Sequence, residues 1–236
     1  MSAGPAVGGP YAALVAAHGL SESHRLVLAA VPDGARVLDV GCATGYLAAE
    51  LGRRGCTVDG VEVDPVAAEQ ARAHCREVVV GDLEAPATHA AVERMLGGAR
   101  PDVIICADVL EHLRDPWAVL SWLRTLLAAG ADGKAIISLP NIAHWTARRA
   151  LARGRFDYTD FGLFDRTHLR FFTRDSAREL ATRAGFAVQR ERPAGAPLPL
   201  ESRVPSLARV RDPFVRRCPG LLALQFVLVL SVPHRP

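Results

Sequence analysis

The sequence predicts an α/β protein built on a doubly wound, mostly parallel sheet. Three observations carry that prediction. Five short runs rich in Val, Ile and Leu show little polar alternation, as strands buried on both faces do. Helix-like periodic stretches separate these runs, so strands and helices alternate along the chain. A glycine turn follows the first run directly, at Gly41-Cys42-Ala43-Thr44-Gly45.

The elements follow in order. Residues 1–35 are read as an N-terminal arm with leading helices, rich in Gly and Ala before about Ser21. The strand Arg36–Val40 leads to the helix Tyr46–Arg54, and the strand Thr57–Val63 to the helix Val66–Arg76. Asp64 and Pro65 give that second helix an N-cap and a first-turn proline, and Asp115 with Pro116 do the same later. Val78–Val80, helix Thr88–Leu96, Val103–Cys106, helix Trp117–Ala129 and Ala135–Leu139 complete a core over residues 36–140. The pattern then changes. Residues 141–172 hold a helical stretch, Asn141–Arg153, and an irregular aromatic stretch, Phe156–Phe172, read as an insertion over the site. Residues 173–236 return to the same domain through the helix Arg174–Ala184, which Gly185 ends as a C-cap. A strand Phe186–Arg190, a Pro- and Arg-rich connection over 193–219 and an antiparallel last strand, Leu221–Val232, finish the chain.

Composition sets the class. The chain has 236 residues, 50% apolar and 22% charged, with net charge +3. Such a chain buries a sizeable core and is not disordered. The run Leu221–Val232 is far short of the ~20 apolar residues a membrane span needs, and the first twenty residues lack a signal peptide's basic region. The expectation is a cytoplasmic chain without a membrane partner. Cys42, Cys56, Cys75, Cys106 and Cys218 are odd in number and form no C-x-x-C pair, which fits reduced thiols. From Thr146 onward 17 Arg face 8 Asp and Glu, a net +9, so the preceding part carries −6. A basic second part suits an anionic substrate or nucleic acid, or is a solvated arginine surface.

A glycine turn between strand and helix lets a ligand approach the backbone, and the helix start offers N–H groups. Counted from Gly41, a dinucleotide fingerprint would need Gly at positions held by Ala43 and Tyr46. A phosphate loop would need a lysine, and Lys134, the only one, is elsewhere. Glu62 lies at the end of the second strand, 21 residues after Gly41, where a carboxylate accepts from ribose hydroxyls. Asp64 is better explained as the helix cap. Asp82, after the third strand, can accept from an exocyclic amine or simply cap its loop. Asp39, Gly41, Gly45, Glu62 and Asp82 all fall at strand carboxyl ends, the edge at which open α/β sheets bind ligands.

The runs Val37–Tyr46, Gly60–Pro65, Gly81–Leu83 and Asp102–Pro116 resemble the class I S-adenosylmethionine-dependent methyltransferases. The resemblance implies their Rossmann-like, seven-stranded sheet with an antiparallel C-terminal strand. It also implies S-adenosylmethionine (SAM) as methyl donor and S-adenosylhomocysteine (SAH) as product. It assigns Asp39 and the backbone of Gly41, Ala43 and Gly45 to the methionine part, Glu62 to the ribose, Asp82 and Leu83 to the adenine, and Cys106 and Ala107 to the methionyl end. Ala43 stands where the family usually has the middle glycine, so crowding is expected there.

On the acceptor side, Asp108, Glu111 and His112 share one face if their turn is helical. His168 stands further on, before a helix. This set resembles ubiquinone-biosynthesis O-methyltransferases and RNA 3′-end 2′-O-methyltransferases, in which four such residues can hold a divalent metal. Mapped here they are Asp108, Glu111, His112 and His168, with Asp108 in place of the usual Glu. Glu111, His112 and His168 are thus the catalytic candidates, with His112 or His168 as base. The alternatives are a metal-activated hydroxyl or a purely structural anchor. Phe156, Tyr158, Phe161 and Phe164, interleaved with Arg148, Arg149, Arg153, Arg155, Arg166 and Arg170, suit a planar, anionic or aromatic small-molecule acceptor. They equally suit a packed insertion. The segment Arg203–Arg217 can cover the pocket or form a homodimer contact. The expected function is O-methylation of a small biosynthetic intermediate. RNA as acceptor and a non-catalytic cofactor-binding protein are the alternatives.

Overall fold

The computed structural model describes residues 15, 19–127, 133–197 and 206–233. Most of the arm before Ser21 therefore lies outside the described residues, as do 128 and 129 of the predicted fourth helix and 203–205 of the arginine segment. The described elements are α1 (Glu22–Ala30), β1 (Arg36–Val40), α2 (Tyr46–Gly52), β2 (Thr57–Glu62), α3 (Pro65–Ala71), β3 (Glu77–Val80), α4 (Pro86–Leu96), β4 (Val103–Ala107), α5 (Pro116–Leu126), β5 (Lys134–Pro140), α6 (Trp145–Leu151), α7 (Arg174–Arg183), β6 (Ala187–Gly195), α8 (Leu207–Arg217), α9 (Pro219–Leu222) and β7 (Ala223–Ser231).

One seven-stranded sheet runs β3-β2-β1-β4-β5-β7-β6. The first five strands are parallel, and β7 enters antiparallel between β5 and β6. Both faces are covered, which explains the near-continuous apolar runs. One face packs Val92, Leu120, Leu123, Ala177 and Leu180 of α4, α5 and α7 against Leu38, Ile104, Ile137 and Phe226. The other packs Val27, Leu47, Leu51 and Ala68 of α1, α2 and α3 against Val37, Ile105 and Ile136. Strand β1 has β2 on one side and β4 on the other, so the winding reverses there. The crevice above the carboxyl ends of β1 and β4 is where such sheets bind ligands.

Local chemistry sets the helix starts. Asp64 Oδ1 accepts from Val66 N–H at 2.8 Å and Asp115 Oδ1 from Ala118 N–H at 3.0 Å, each ahead of a proline. Gly185, at φ 85°, takes the left-handed step after α7.

Several boundaries differ from the expectation. Helix α6 starts only at Trp145, because Asn141 is fully buried and its side chain ties the loop: Nδ2 donates to Ala223 O at 2.8 Å and Oδ1 accepts from Ala143 N–H. Strand β6 runs on through Pro193, tolerated because β6 is a sheet edge and needs no second ladder there. Leu221 and Leu222 belong to the turn of α9 rather than to the last strand. Within the Pro- and Arg-rich connection lies α8, held by the buried Arg211, which donates to Glu22 of α1 at 2.5 Å. This helix packs on β6 and α9, with Val210 and Phe214 exposed. No described helix is long and apolar enough to cross a membrane.

Candidate active site

The glycine loop closes the carboxyl end of β1. Gly41 has φ 72°, and a Cβ there would overlap a Val109 methyl. Gly45 has φ 79°, and a Cβ there would lie 3.0 Å from the Ala71 Cα. Ala43 also adopts a left-handed backbone, φ 47°, which costs an L-residue about 1 kcal/mol or more. The crowding expected at this position is thus a backbone cost. Ala43→Gly should raise the thermal midpoint, with a gain of up to about 1 kcal/mol after the added flexibility of the unfolded glycine is subtracted. A scan of both proteins checks it, and a fall in midpoint would contradict the strain.

The carboxylate of Glu62 braces this loop. Oε2 accepts from Ala43 N–H at 2.8 Å, and Oε1 from Val63 and Asp64 N–H at 2.9 Å each. Asp39 is buried at the end of β1, and its Oδ2 has no hydrogen-bond partner among the described residues. Burial, with Glu62 nearby, pushes its carboxyl up to about 7. Asp82 is exposed and caps its own loop, accepting from Glu84 N–H at 2.9 Å, while Leu83 is buried beside it. Cys106 and Ala107 are buried at the end of β4, and burial raises the Cys106 thiol. An orphaned carboxylate oxygen, a glycine cradle closed to side chains and a carboxylate at the end of β2 fit a cationic, ribose-bearing ligand.

On the acceptor side, the turn after β4 is a short 3₁₀ helix, Leu110–His112. Asp108 stands apart from it at φ 58°. Its Oδ1 accepts from Ser138 Oγ at 2.7 Å and Gln225 Nε2 at 2.8 Å, and its Oδ2 lies 3.7 Å from His24 Nε2. The expectation that Asp108 shares a ligand face with Glu111 and His112 is therefore corrected: a left-handed residue between strand and turn aims it at β5 and β7. Glu111, His112 and His168 do converge, each offering a ligand atom within 4.8 Å of the others. Glu111 is buried, its Oε2 is unpartnered among the described residues, and burial raises its carboxyl well above the usual range. His112 Nδ1 faces the Thr167 carbonyl at 3.2 Å, so this nitrogen is the donor of that pair. Neither nitrogen of His168 makes a hydrogen bond of normal geometry among the described residues. Burial and His112 lower its pKa, against weaker opposing pulls from Asp165, Asp108 and the Leu163 carbonyl.

The insertion leaves the sheet at Asn141 and returns beside it at Phe172. Phe156 packs edge-to-face on Tyr158, Phe164 and Phe171, forming an aromatic wall next to His168. Several of these arginines make local contacts. Arg155 pairs with Asp157, Arg166 with Asp160, Arg148 bonds the Ala143 carbonyl, and Arg170 the Arg114 carbonyl.

Sequence reasoning missed two residues of the site. His24, in α1, is buried, and its Nδ1 accepts from Ser21 N–H in a capping box. Its Nε2 therefore points at the Tyr46 hydroxyl, 3.4 Å away, and at Asp108. The Tyr46 hydroxyl sits among Asp108, Asp39 and Glu62, and burial with those charges raises its pKa. A His at the third helical position, where a capping box usually has Glu or Gln, was the available signal.

Comparisons with known proteins bear on the family and the fold. A family profile described as a methyltransferase domain matches residues 16–191. A ubiquinone biosynthesis O-methyltransferase from Alkalilimnicola ehrlichii is 33% identical over 111 residues, 46% of this chain and 43% of that protein. Its counterpart from Xanthomonas axonopodis pv. citri is 31% identical over 141 residues, 55% of this chain and 57% of that protein. The chain thus spans about half the length of the curated relatives it matches. A magnesium protoporphyrin IX methyltransferase from Synechocystis PCC 6803, solved with bound SAH, superposes with TM-score 0.59 at 17% identity, covering 90% of this chain and 83% of its own. A possible histamine N-methyltransferase from Thermotoga maritima superposes with TM-score 0.63 at 16% identity, covering 94% and 95%. At those identities the superpositions speak for the fold. The profile, matched over most of the chain on this sheet and glycine loop, places the protein in the class I S-adenosylmethionine-dependent methyltransferase family.

Proposed function

We propose that the protein methylates a hydroxyl or phenol of a small, aromatic biosynthetic intermediate, releasing SAH. The observation that carries this reading is the convergence of Glu111, His112 and His168, with unpartnered buried atoms, directly beyond the end of β4. An oxygen acceptor must lose a proton, and a buried neutral imidazole with a free lone pair can take it. Curated relatives named as O-methyltransferases support the choice of oxygen. The ring cluster Phe156, Phe164 and Phe171 favours an aromatic acceptor.

When bound, SAM supplies a methyl group activated by its sulfonium. In this reading Asp39 and the Gly41–Gly45 backbone hold the methionine part, Glu62 the ribose, Asp82 and Leu83 the adenine, and Cys106 and Ala107 line the methionyl end. The aromatic wall orients the acceptor and excludes water. His168 or His112 takes the acceptor proton. One observation also favours a second reading, in which a divalent metal lowers the hydroxyl's pKa: two imidazoles and a carboxylate within 4.8 Å form a three-ligand set. The residues that would hold it are Glu111, His112 and His168, without Asp108.

Calorimetric titration of chelator-treated protein with SAM and SAH, repeated with Mg²⁺ and Zn²⁺, tests the cofactor half. Transfer of labelled methyl to phenols, amines and RNA tests the acceptor half. Saturable cofactor binding and label on phenols are the expected results, and label confined to amines or RNA would refute the acceptor assignment.

Asp39 makes cofactor binding depend on pH. Its native carboxyl titrates near about 7, whereas in the unfolded chain an aspartate titrates near about 4. The native state therefore holds the proton more tightly. Stability from this group is complete below about pH 4 and is lost as pH rises through about 7. A cationic ligand favours the ionised form, so SAM affinity should rise between about pH 6 and about pH 8 with release of a proton. Asp39→Asn should flatten that profile in buffers of different ionisation enthalpy. An unchanged slope in the variant would assign the proton to another group.

A further inference from the structure

Glu84 joins the two halves of the site. It follows Asp82 and Leu83 in the loop after β3, and its own N–H donates to Asp82 Oδ1 at 2.9 Å. Its carboxylate reaches across to residues 30 and 31 positions later, accepting from Asp115 N–H at 2.8 Å and Arg114 N–H at 3.2 Å. Two consecutive amides on one carboxylate make a charge-assisted, two-point clasp. It grips the chain just after the Glu111–His112 turn.

The other side of that turn is gripped by the histidine segment. Glu111 O accepts from Leu169 N–H at 2.8 Å and Arg170 N–H at 3.0 Å. The Arg170 guanidinium donates to Arg114 O, on the residue whose N–H Glu84 holds. Thr167 Oγ1 lies 3.0 Å from His112 Nδ1. Residues 110–115 are thus a short bar, fixed at one end by the loop assigned to the adenine and at the other by the segment bearing His168. Among the described residues, hydrogen bonds to the Glu84 side chain join the 82–84 loop to this bar, beside the packing of Leu83 in the same core as Leu110 and Leu113.

We infer that Glu84 is a positioning residue for methyl transfer: it couples occupancy of the cofactor site to the placement of His112 and His168. The inference rests on the proposed reading that SAM's adenine lies at Asp82–Leu83 and that the histidines face the acceptor. A ligand that orders the 82–84 loop orders the amides of Arg114 and Asp115 with it. Through Glu111 O the same order reaches Leu169 and Arg170. Cofactor binding would then assemble the acceptor side, so the acceptor meets a formed site only when the methyl donor is present.

The experiment uses the full chain, SAH as probe, and the imidazole resonances of His112 and His168 in isotopically labelled protein. In the parent protein SAH should shift both resonances. In Glu84→Gln, an isosteric change that replaces one accepting oxygen with a donor, SAH should still bind, while the SAH-induced shifts are lost. Glu84→Ala should behave likewise; if it does not fold, the Gln variant decides alone. A merely structural role would lower the thermal midpoint of both variants and leave the SAH-induced shifts in place, which overturns the inference. Shifts absent from the parent while SAH binds would overturn it also, leaving the proposed function standing. Failure of the parent to bind SAH would overturn both.

Discussion

Glu62→Ala is expected to weaken SAH binding on the order of 10²-fold. The carboxylate already accepts from Ala43, Val63 and Asp64, three of its roughly four acceptor sites. The remaining site, on Oε2, is open to a ligand hydroxyl. One hydrogen bond to a charged acceptor contributes about 1.5–3 kcal/mol, which alone is tenfold or more. Removing the carboxylate also frees the Ala43 N–H, in a loop that already holds an L-residue at positive φ, so the cradle itself loosens. The loss should therefore exceed that of a single contact. Asp64→Ala is the internal control. It removes only the α3 cap, at about 1 kcal/mol of stability, and should leave SAH affinity near that of the parent. Calorimetry on both proteins separates the two carboxylates. Equal affinity losses would mean that Glu62 acts only by bracing the loop's surroundings.

The Asp64 cap was readable in the sequence because its role is local: a cap acts two or three residues away. The parallel strands were readable for the same reason, since burial on both faces writes itself into consecutive residues. What escaped reading depends on partners far along the chain. Asp108 looked like a neighbour of Glu111 and His112, but Ser138 and Gln225, 30 and 117 residues away, turn it aside. Helix α8 was hidden in a Pro- and Arg-rich stretch because its docking uses partners far along the chain, among them Glu22 for Arg211, 189 residues away, and the core around Val215. His24 entered the site through the docking of α1 on the sheet, which a chain read in order does not announce.

His168→Ala is expected to lower turnover of a phenolic acceptor by about 10²- to 10⁴-fold, the usual worth of a positioned proton acceptor. SAH affinity should be unchanged, since the ring packs on His112 and Phe171 on the acceptor side. Burial and the neighbouring His112 favour the neutral form of His168, and its nitrogens make no hydrogen bond of normal geometry among the described residues, which suits it to take a proton. His112→Ala should cost less if His168 is the base, because His112 is tethered to Thr167 and supports the pair from one side. A metal would reverse that ordering. With Glu111, His112 and His168 as joint ligands, loss of any one should abolish both activity and a measurable Mg²⁺ or Zn²⁺ isotherm, and Glu111→Gln should be as damaging as either histidine change. If His168 acts as a base instead, Glu111→Gln leaves most of the turnover, because burial favours the protonated carboxyl at this position and an amide resembles that form. The ranking of three variants against one acceptor therefore decides between proton transfer and metal activation. Full turnover in His168→Ala would remove this histidine from the chemistry altogether.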